Sequence, residues 1–292
     1  MTMKTLILAA AAALALTTAA QAATPPPPAA IYTDPPADKV HPARSEVLHI
    51  PSGGVLINGL AYVPAGAGPH PTVVLLHGLP GNEKNLDLAQ AIRRAGWTVV
   101  TFNYRGSWGS PGTFSFNGNL EDAKAVLAYV RTPKVAEGLQ IDPTRLVMIG
   151  HSMGGWVTAV TAGHDPDLAG AVLISSADMA ALRLAPPETR LRTATENMEA
   201  LSGVTAQSMA EEMKTIEPAA GFAAAAPGLA KKPLLVLTSD DGLADGANTL
   251  VADIHKAGGT KVTAIHVATD HSYNTARIRL ESEIVRWLQK LP

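Results

Sequence analysis

Six short apolar runs, at residues 72–76, 98–103, 146–149, 170–175, 234–238 and 262–267, recur along the chain, and most are separated by segments of helical period. Strands separated by helices return to one sheet by crossovers, so the alternation predicts a mainly parallel sheet with helices on both faces. The runs at 72–76, 146–149 and 234–238 are nearly continuous in Val, Leu, Ile and Met, as strands buried on both sides require. Helices are expected to begin near Asn85, Leu120, Ser152 and Gly246, with a last one over 275–291. Ahead of this pattern, residues 47–50 and 55–63 read as an antiparallel hairpin turning at Ser52-Gly53-Gly54. Asn58-Gly59 is a competing turn signal that leaves the hairpin register open.

The rhythm breaks between residues 175 and 234. This interval is rich in Ala, Met and Glu, is interrupted by Pro186-Pro187 and Pro218, and carries no strand pattern. It is expected to be a small helical lid or cap insertion, bounded at 179–231.

The first residues bear on location. Lys4 precedes an apolar run from Leu6 to Leu16, then Thr17 and Thr18, then Ala20-Gln21-Ala22. Charge, short apolar core and small-residue cleavage site together predict a signal peptide over 1–22, cleaved after Ala22. The apolar run is too short to span a bilayer, so no stable membrane insertion is expected after cleavage. The expected location is periplasmic or secreted. Prolines at 25–28, 35 and 36 make residues 23–44 an extended linker by expectation. The remainder, 45–292, reads as one α/β domain. With no cysteine, disulfides are excluded. A hydrophobic fraction of 47% and a net charge of −2 match neither a disordered chain nor a basic nucleic-acid binder. A small or neutral substrate fits this balance better.

Gly150-His151-Ser152-Met153-Gly154 stands between the run at 146–149 and the helical segment that follows. A G-x-S-x-G pattern in that context predicts a sharp strand-to-helix turn that lifts the serine hydroxyl clear of the sheet. Serine is a poor nucleophile until a base takes its proton. His271 is the candidate base, because Thr269-Asp270-His271-Ser272-Tyr273 follows the last strand and opens at the same sheet edge as Ser152. His266 lies inside that strand and His151 inside the turn, and both are read as structural. The base needs an orienting carboxylate, and Asp240 and Asp241 follow the strand at 234–238.

From about Ser45 onward the chain resembles an α/β-hydrolase. The order serine, aspartate, histidine is that family's order. His77-Gly78-Leu79-Pro80-Gly81 is similar to its H-G-x loop, and the resemblance implies that the N–H groups of Leu79 and Met153 form an oxyanion hole. It also favours Asp241 as the acid, because family acids are followed by a small or proline residue and an apolar one, as Gly242 and Leu243 follow here. Asp240 is then expected to face solvent or cap local backbone. Asn103-Tyr104-Arg105-Gly106-Ser107-Trp108-Gly109 resembles a segment of esterase-like members and of the prolyl-oligopeptidase-like branch, and is read as scaffold for the site rim. His77 is read as a hydrogen-bonded strut. Serine in place of an aspartate nucleophile argues against epoxide hydrolases and dehalogenases. The resemblance implies a serine hydrolase acting on small-molecule carboxylic esters. Peptidase or amidase action through the same residues, and non-catalytic binding on the same fold, are the alternatives. No metal-ligand spacing or cofactor motif is present, so neither is expected.

Overall fold

The structure, a computed structural model, describes residues 25–292. The expected signal peptide lies outside the described residues. Eight strands form one sheet: β1 Arg44–Ser52, β2 Val55–Val63, β3 His70–Leu76, β4 Thr98–Phe102, β5 Ile141–His151, β6 Leu168–Ile174, β7 Leu234–Thr238 and β8 Val262–His266. Their order is β1-β2-β4-β3-β5-β6-β7-β8, with β1 and β2 antiparallel to their neighbours and β4 through β8 parallel. The helices are α1 Ala29–Tyr32, α2 Leu86–Arg94, α3 Phe116–Val130, α4 Pro133–Gly138, α5 Met153–His164, α6 Pro187–Glu196, α7 Ala206–Thr215, α8 Phe222–Leu229, α9 Ala244–Lys256 and α10 Arg277–Leu288.

The hairpin turns at Gly53 and Gly54, both with positive φ, the conformation that a tight two-residue connection demands and glycine adopts freely. Asn58-Gly59 therefore stays within β2. Gly59 is needed there for packing, because a Cβ would stand 2.9 Å from the Thr101 carbonyl oxygen on β4.

Leu146, Val147, Met148 and Ile149 of β5 are all fully buried at the sheet centre. Alternate residues of the strands feed two apolar layers. One layer holds Val74, Met148, Trp156 and Val157 beneath α3, α5 and α8, and the other holds Val73, Ile149, Leu88 and Leu280 beneath α2 and α10. Both faces are thus covered, and α5 is apolar all round because it is enclosed on every side.

Two boundaries differ from the sequence reading. The cap bounds expected from sequence, 179–231, take in α8, but α8 belongs to the main body: Phe222, Ala225, Ala226 and Leu229 are buried, and Gly228 of α8 packs directly on Gly163 of α5. A parallel β6-to-β7 connection needs a covering crossover helix, and α8 supplies it. The cap proper comprises the 3-10 turn Met179–Leu184, α6 and α7. The Pro-rich segment is likewise docked rather than a free tether. Arg94 donates to the carbonyls of Ala30 and Ile31, Arg286 donates to those of Pro25 and Pro26, and Ile31 packs on the α2 and α10 layer. Prolines lack N–H groups but keep their carbonyls, and Arg286 uses two of them here. Among the described residues, no helix is long and apolar enough to cross a membrane.

Candidate active site

The C-terminal ends of β3, β5, β7 and β8 carry the predicted site residues to one edge of the sheet. Ser152 stands between β5 and α5 with φ 57° and ψ −122°, a conformation costing a non-glycine residue about 1–3 kcal/mol. The surroundings hold it there. Its N–H donates to the Ile174 carbonyl at 2.9 Å, and its own carbonyl accepts from Gly155 at 2.9 Å and Ala177 at 3.2 Å. A Cβ on Gly154 would meet the His77 carbonyl oxygen at 2.5 Å, so only glycine permits this approach of helix to strand. The loop after β3 passes against the serine, since a Cβ on Gly78 would stand 2.8 Å from Ser152 Cβ and 3.4 Å from its Oγ.

Leu79 follows in that loop, and it lines with Ser152 and Met153 a cleft of about 400 Å³. Met179, Leu182 and Asn197 of the cap region and Leu243 beside α9 form its other walls. The N–H groups of Leu79 and Met153 have no protein acceptor among the described residues.

Across the cleft edge, His271 Nδ1–H donates to Asp241 Oδ2 at 2.7 Å. The carboxylate is 4% exposed and the imidazole 39% exposed, so one is sheltered and the other reachable. Asp241 Oδ1 also accepts from the Leu243 N–H at 2.9 Å. Burial opposes ionisation of Asp241, but hydrogen bonds from His271, Leu243, Ser175 and Ser239 outweigh it and hold its carboxyl below the usual value. Asp240 does not reach His271. It is exposed and accepts from His266 Nε2 at 3.1 Å, while the other ring nitrogen of His266 meets Thr238 Oγ1 at 3.0 Å. His266 is thus an exposed residue at the end of β8, paired with Asp240 and Thr238.

His77 is fully enclosed, with Nδ1–H donating to the Gly78 carbonyl at 2.8 Å and Nε2 without a partner. Burial pushes its pKa down to about 4, so it is neutral at ordinary pH. His151 Nε2–H donates to the backbone carbonyl of His271 at 2.8 Å, and the two rings lie 4.6 Å apart.

The sequence reading missed several supports. Ser175 and Ser239 Oγ atoms, 2.7 Å apart and buried, stand under Asp241. Arg277 donates to the Ser272 carbonyl at 3.0 Å while pairing with Asp87, and so ties the loop bearing His271 to α2. The rim segment is anchored by Arg105 on the buried Asp122 at 2.6 Å and bridges to the cap through Ser107 and Leu201. Serines after β6 and β7 carry a weak signal of their own, since a hydroxyl placed next to an apolar strand end must find a partner. Among the described residues, no cluster of three or more His, Asp or Glu is placed to hold a metal ion.

Comparisons with known proteins agree with this architecture. The 2,6-dihydroxy-pseudo-oxynicotine hydrolase superimposes with a TM-score of 0.64 at 20% identity, covering 86% of this chain and 68% of its own. The carboxylesterase EstE1, cloned from a metagenomic library, gives 0.60 at 24% identity, covering 85% and 91%. At such identities the likeness is one of fold. Among curated proteins, the quorum-quenching protein AidA of Acinetobacter baumannii is 32% identical over 127 residues, 41% of this chain and 40% of its own length. The sn-1-specific diacylglycerol lipase ABHD11 of Xenopus tropicalis is 36% identical over 105 residues, covering 35% and 30%. The matched region spans under half the length of these curated relatives. The profile described as "Alpha/beta hydrolase family" matches residues 73–286, well over half of the sequence, and the chain belongs to that family.

Proposed function

We propose that the protein is a serine hydrolase cleaving carboxylic esters through an acyl-enzyme. Ser152 attacks the ester carbonyl, His271 takes its proton and returns it to the leaving alcohol, and a water molecule then releases the acid by the same route. Asp241 fixes the imidazole tautomer with Nδ1–H, which leaves Nε2 as the basic nitrogen, and stabilises the imidazolium. Leu79 and Met153 N–H groups receive the negative charge that develops on the carbonyl oxygen, where one such donor is typically worth about 3–4 kcal/mol.

The observation that carries the reading is the 2.7 Å contact between Asp241 and His271, brought together from the ends of β7 and β8 at the edge where Ser152 stands. A structural ion pair has no need of a nearby strained serine and two unengaged N–H groups. The cleft wall is mostly apolar, with Leu79, Met179, Leu182 and Leu243, and offers no basic side chain for an anionic substrate. That favours uncharged acyl groups.

The test is a hydrolysis series of p-nitrophenyl esters from acetate to decanoate beside the matched anilides. Turnover of esters with little anilide cleavage supports esterase action, and anilide cleavage at comparable rates moves the assignment to amide substrates. Export is part of the proposal, resting on Lys4, the apolar run and Ala20-Gln21-Ala22. Mass measurement of protein recovered from a bacterial periplasm then finds Ala23 at the N-terminus, and a chain still beginning at Met1 contradicts it.

A further inference from the structure

We infer that His151, the residue before the proposed nucleophile, is a positioning residue that holds the His271 backbone and braces its imidazole at the sheet edge where Ser152 stands. The inference rests on the roles given above to Ser152, Asp241 and His271. Its geometry is separate from theirs. A carbonyl oxygen only accepts, so the 2.8 Å contact with the His271 carbonyl fixes the Nε2–H tautomer of His151. The bond joins residues 120 apart in sequence. Because His151 and Ser152 are neighbours, movement of the base relative to the serine is limited by a single peptide step.

The ring does more than carry a donor. Its centroid lies 4.6 Å from that of His271 with the planes tilted by 42°, so it occupies one side of the imidazole that water would otherwise fill. When His271 gains its proton, the new charge lies beside a neutral ring and not a second cation, which avoids like-charge repulsion. Neutrality is secured by surroundings. His151 is enclosed, its Nδ1 has no partner, and burial, with the nearby His271 and Arg277, drives its pKa to about 4 against weaker opposition from its hydrogen bond to the His271 carbonyl and from Asp241. Those three residues are the charged or titratable groups that face it.

A purely architectural residue explains less. Phe would fill much of the same volume, whereas a histidine here leaves a ring nitrogen buried and unpartnered, which is unfavourable. The donor to His271 is what phenylalanine lacks.

The experiment compares wild type, His151→Phe, which keeps a ring without the donor, and His151→Gln, which keeps an N–H without the ring. Each is measured for p-nitrophenyl acetate turnover across pH, for the rate of fluorophosphonate labelling of Ser152, and for thermal midpoint. The expected result is a fall in kcat of about 10- to 100-fold in His151→Phe with KM within about twofold, the scale of a base displaced by an ångström or less. The labelling rate falls with it, the pH midpoint of kcat/KM is displaced, and His151→Gln recovers at least half of the lost kcat on a logarithmic scale. Retention of kcat and labelling rate in both variants overturns the inference and leaves the triad standing. Losses without any pH displacement or rescue by Gln, tracking a lowered thermal midpoint, also overturn it by reducing His151 to packing. A wild-type Ser152 that resists the phosphonate overturns the triad reading, and this inference with it.

Discussion

Trp108 Nε1–H donates to the Pro80 carbonyl oxygen at 2.7 Å, which ties the rim segment to the loop that carries Leu79. The indole is held in turn by the Lys84 ammonium, 4.3 Å from its ring centre. The oxyanion donor on Leu79 is thus positioned by a side chain outside its own loop. Trp108→Phe keeps the ring and removes the donor, and kcat for ester hydrolysis is expected to fall about tenfold with little change in KM, since the lost constraint acts on transition-state geometry. Steady-state kinetics check this, and an effect confined to KM would place Trp108 in ground-state binding instead.

Asp240 and Asp241 are adjacent but meet different histidines. Asparagine at 241 keeps the shape yet favours the wrong imidazole tautomer, and the loss of turnover is expected to be about 10⁴-fold. At 240 the partner is an exposed histidine at the end of β8, where the same change is expected to cost less than about tenfold, as exposed pairs contribute little. Measured kcat values for the two variants rank them directly.

The cap sets the size of the acyl site through Leu182, which lines the cleft from the 3-10 turn. Leu182→Trp is expected to lower kcat/KM for octanoate esters by about tenfold or more while leaving acetate within about twofold, because added bulk in a packed wall excludes the longer chain first. Equal loss on both esters would show that the cap supports the site without selecting substrates.

Glu281 is buried beside Asp87, and its carboxyl is pushed up to about 7 by desolvation first and by the Asp87 charge second. A carboxyl whose folded pKa exceeds its unfolded value of 4.5 gives its full stabilising share below that value and loses it as pH rises through about 7. His77 and His151 act in the opposite direction. Both are pushed down to about 4 by burial, so their share is present above about 6.5 and is lost as pH falls toward 4. Thermal midpoints are therefore expected to decline on both sides of a slightly acidic optimum. Glu281→Gln should flatten the alkaline limb only, and a variant curve parallel to wild type there would contradict the assignment.

The parts of this molecule that sequence makes legible are those fixed by local chemistry. Buried parallel strands must be continuous apolar runs, so β3, β5 and β7 could be read from their residues alone. The serine turn needs glycines on both sides within a few residues, and that too is local. Boundaries that depend on partners were less legible. β5 begins at Ile141 rather than 146 because Ile141 pairs with His70 of β3 across the sheet. The helix α8, Ala-rich and with Pro227 inside it, follows α7 with no strand pattern between them, and its place in the main body shows only in its packing against α5. The hydrogen bond from His151 to the His271 carbonyl lay beyond reach for the same reason, since it exists only once β5 and the last loop share an edge.

The central claim is that Ser152 is an activated nucleophile, and the most direct measurement is active-site labelling of the folded protein by a fluorophosphonate, followed by peptide mass mapping. The account predicts one adduct, on the peptide containing Ser152, and none in Ser152→Ala. A wild-type protein that stays unlabelled, or an Ser152→Ala protein labelled as fully as wild type, would contradict it.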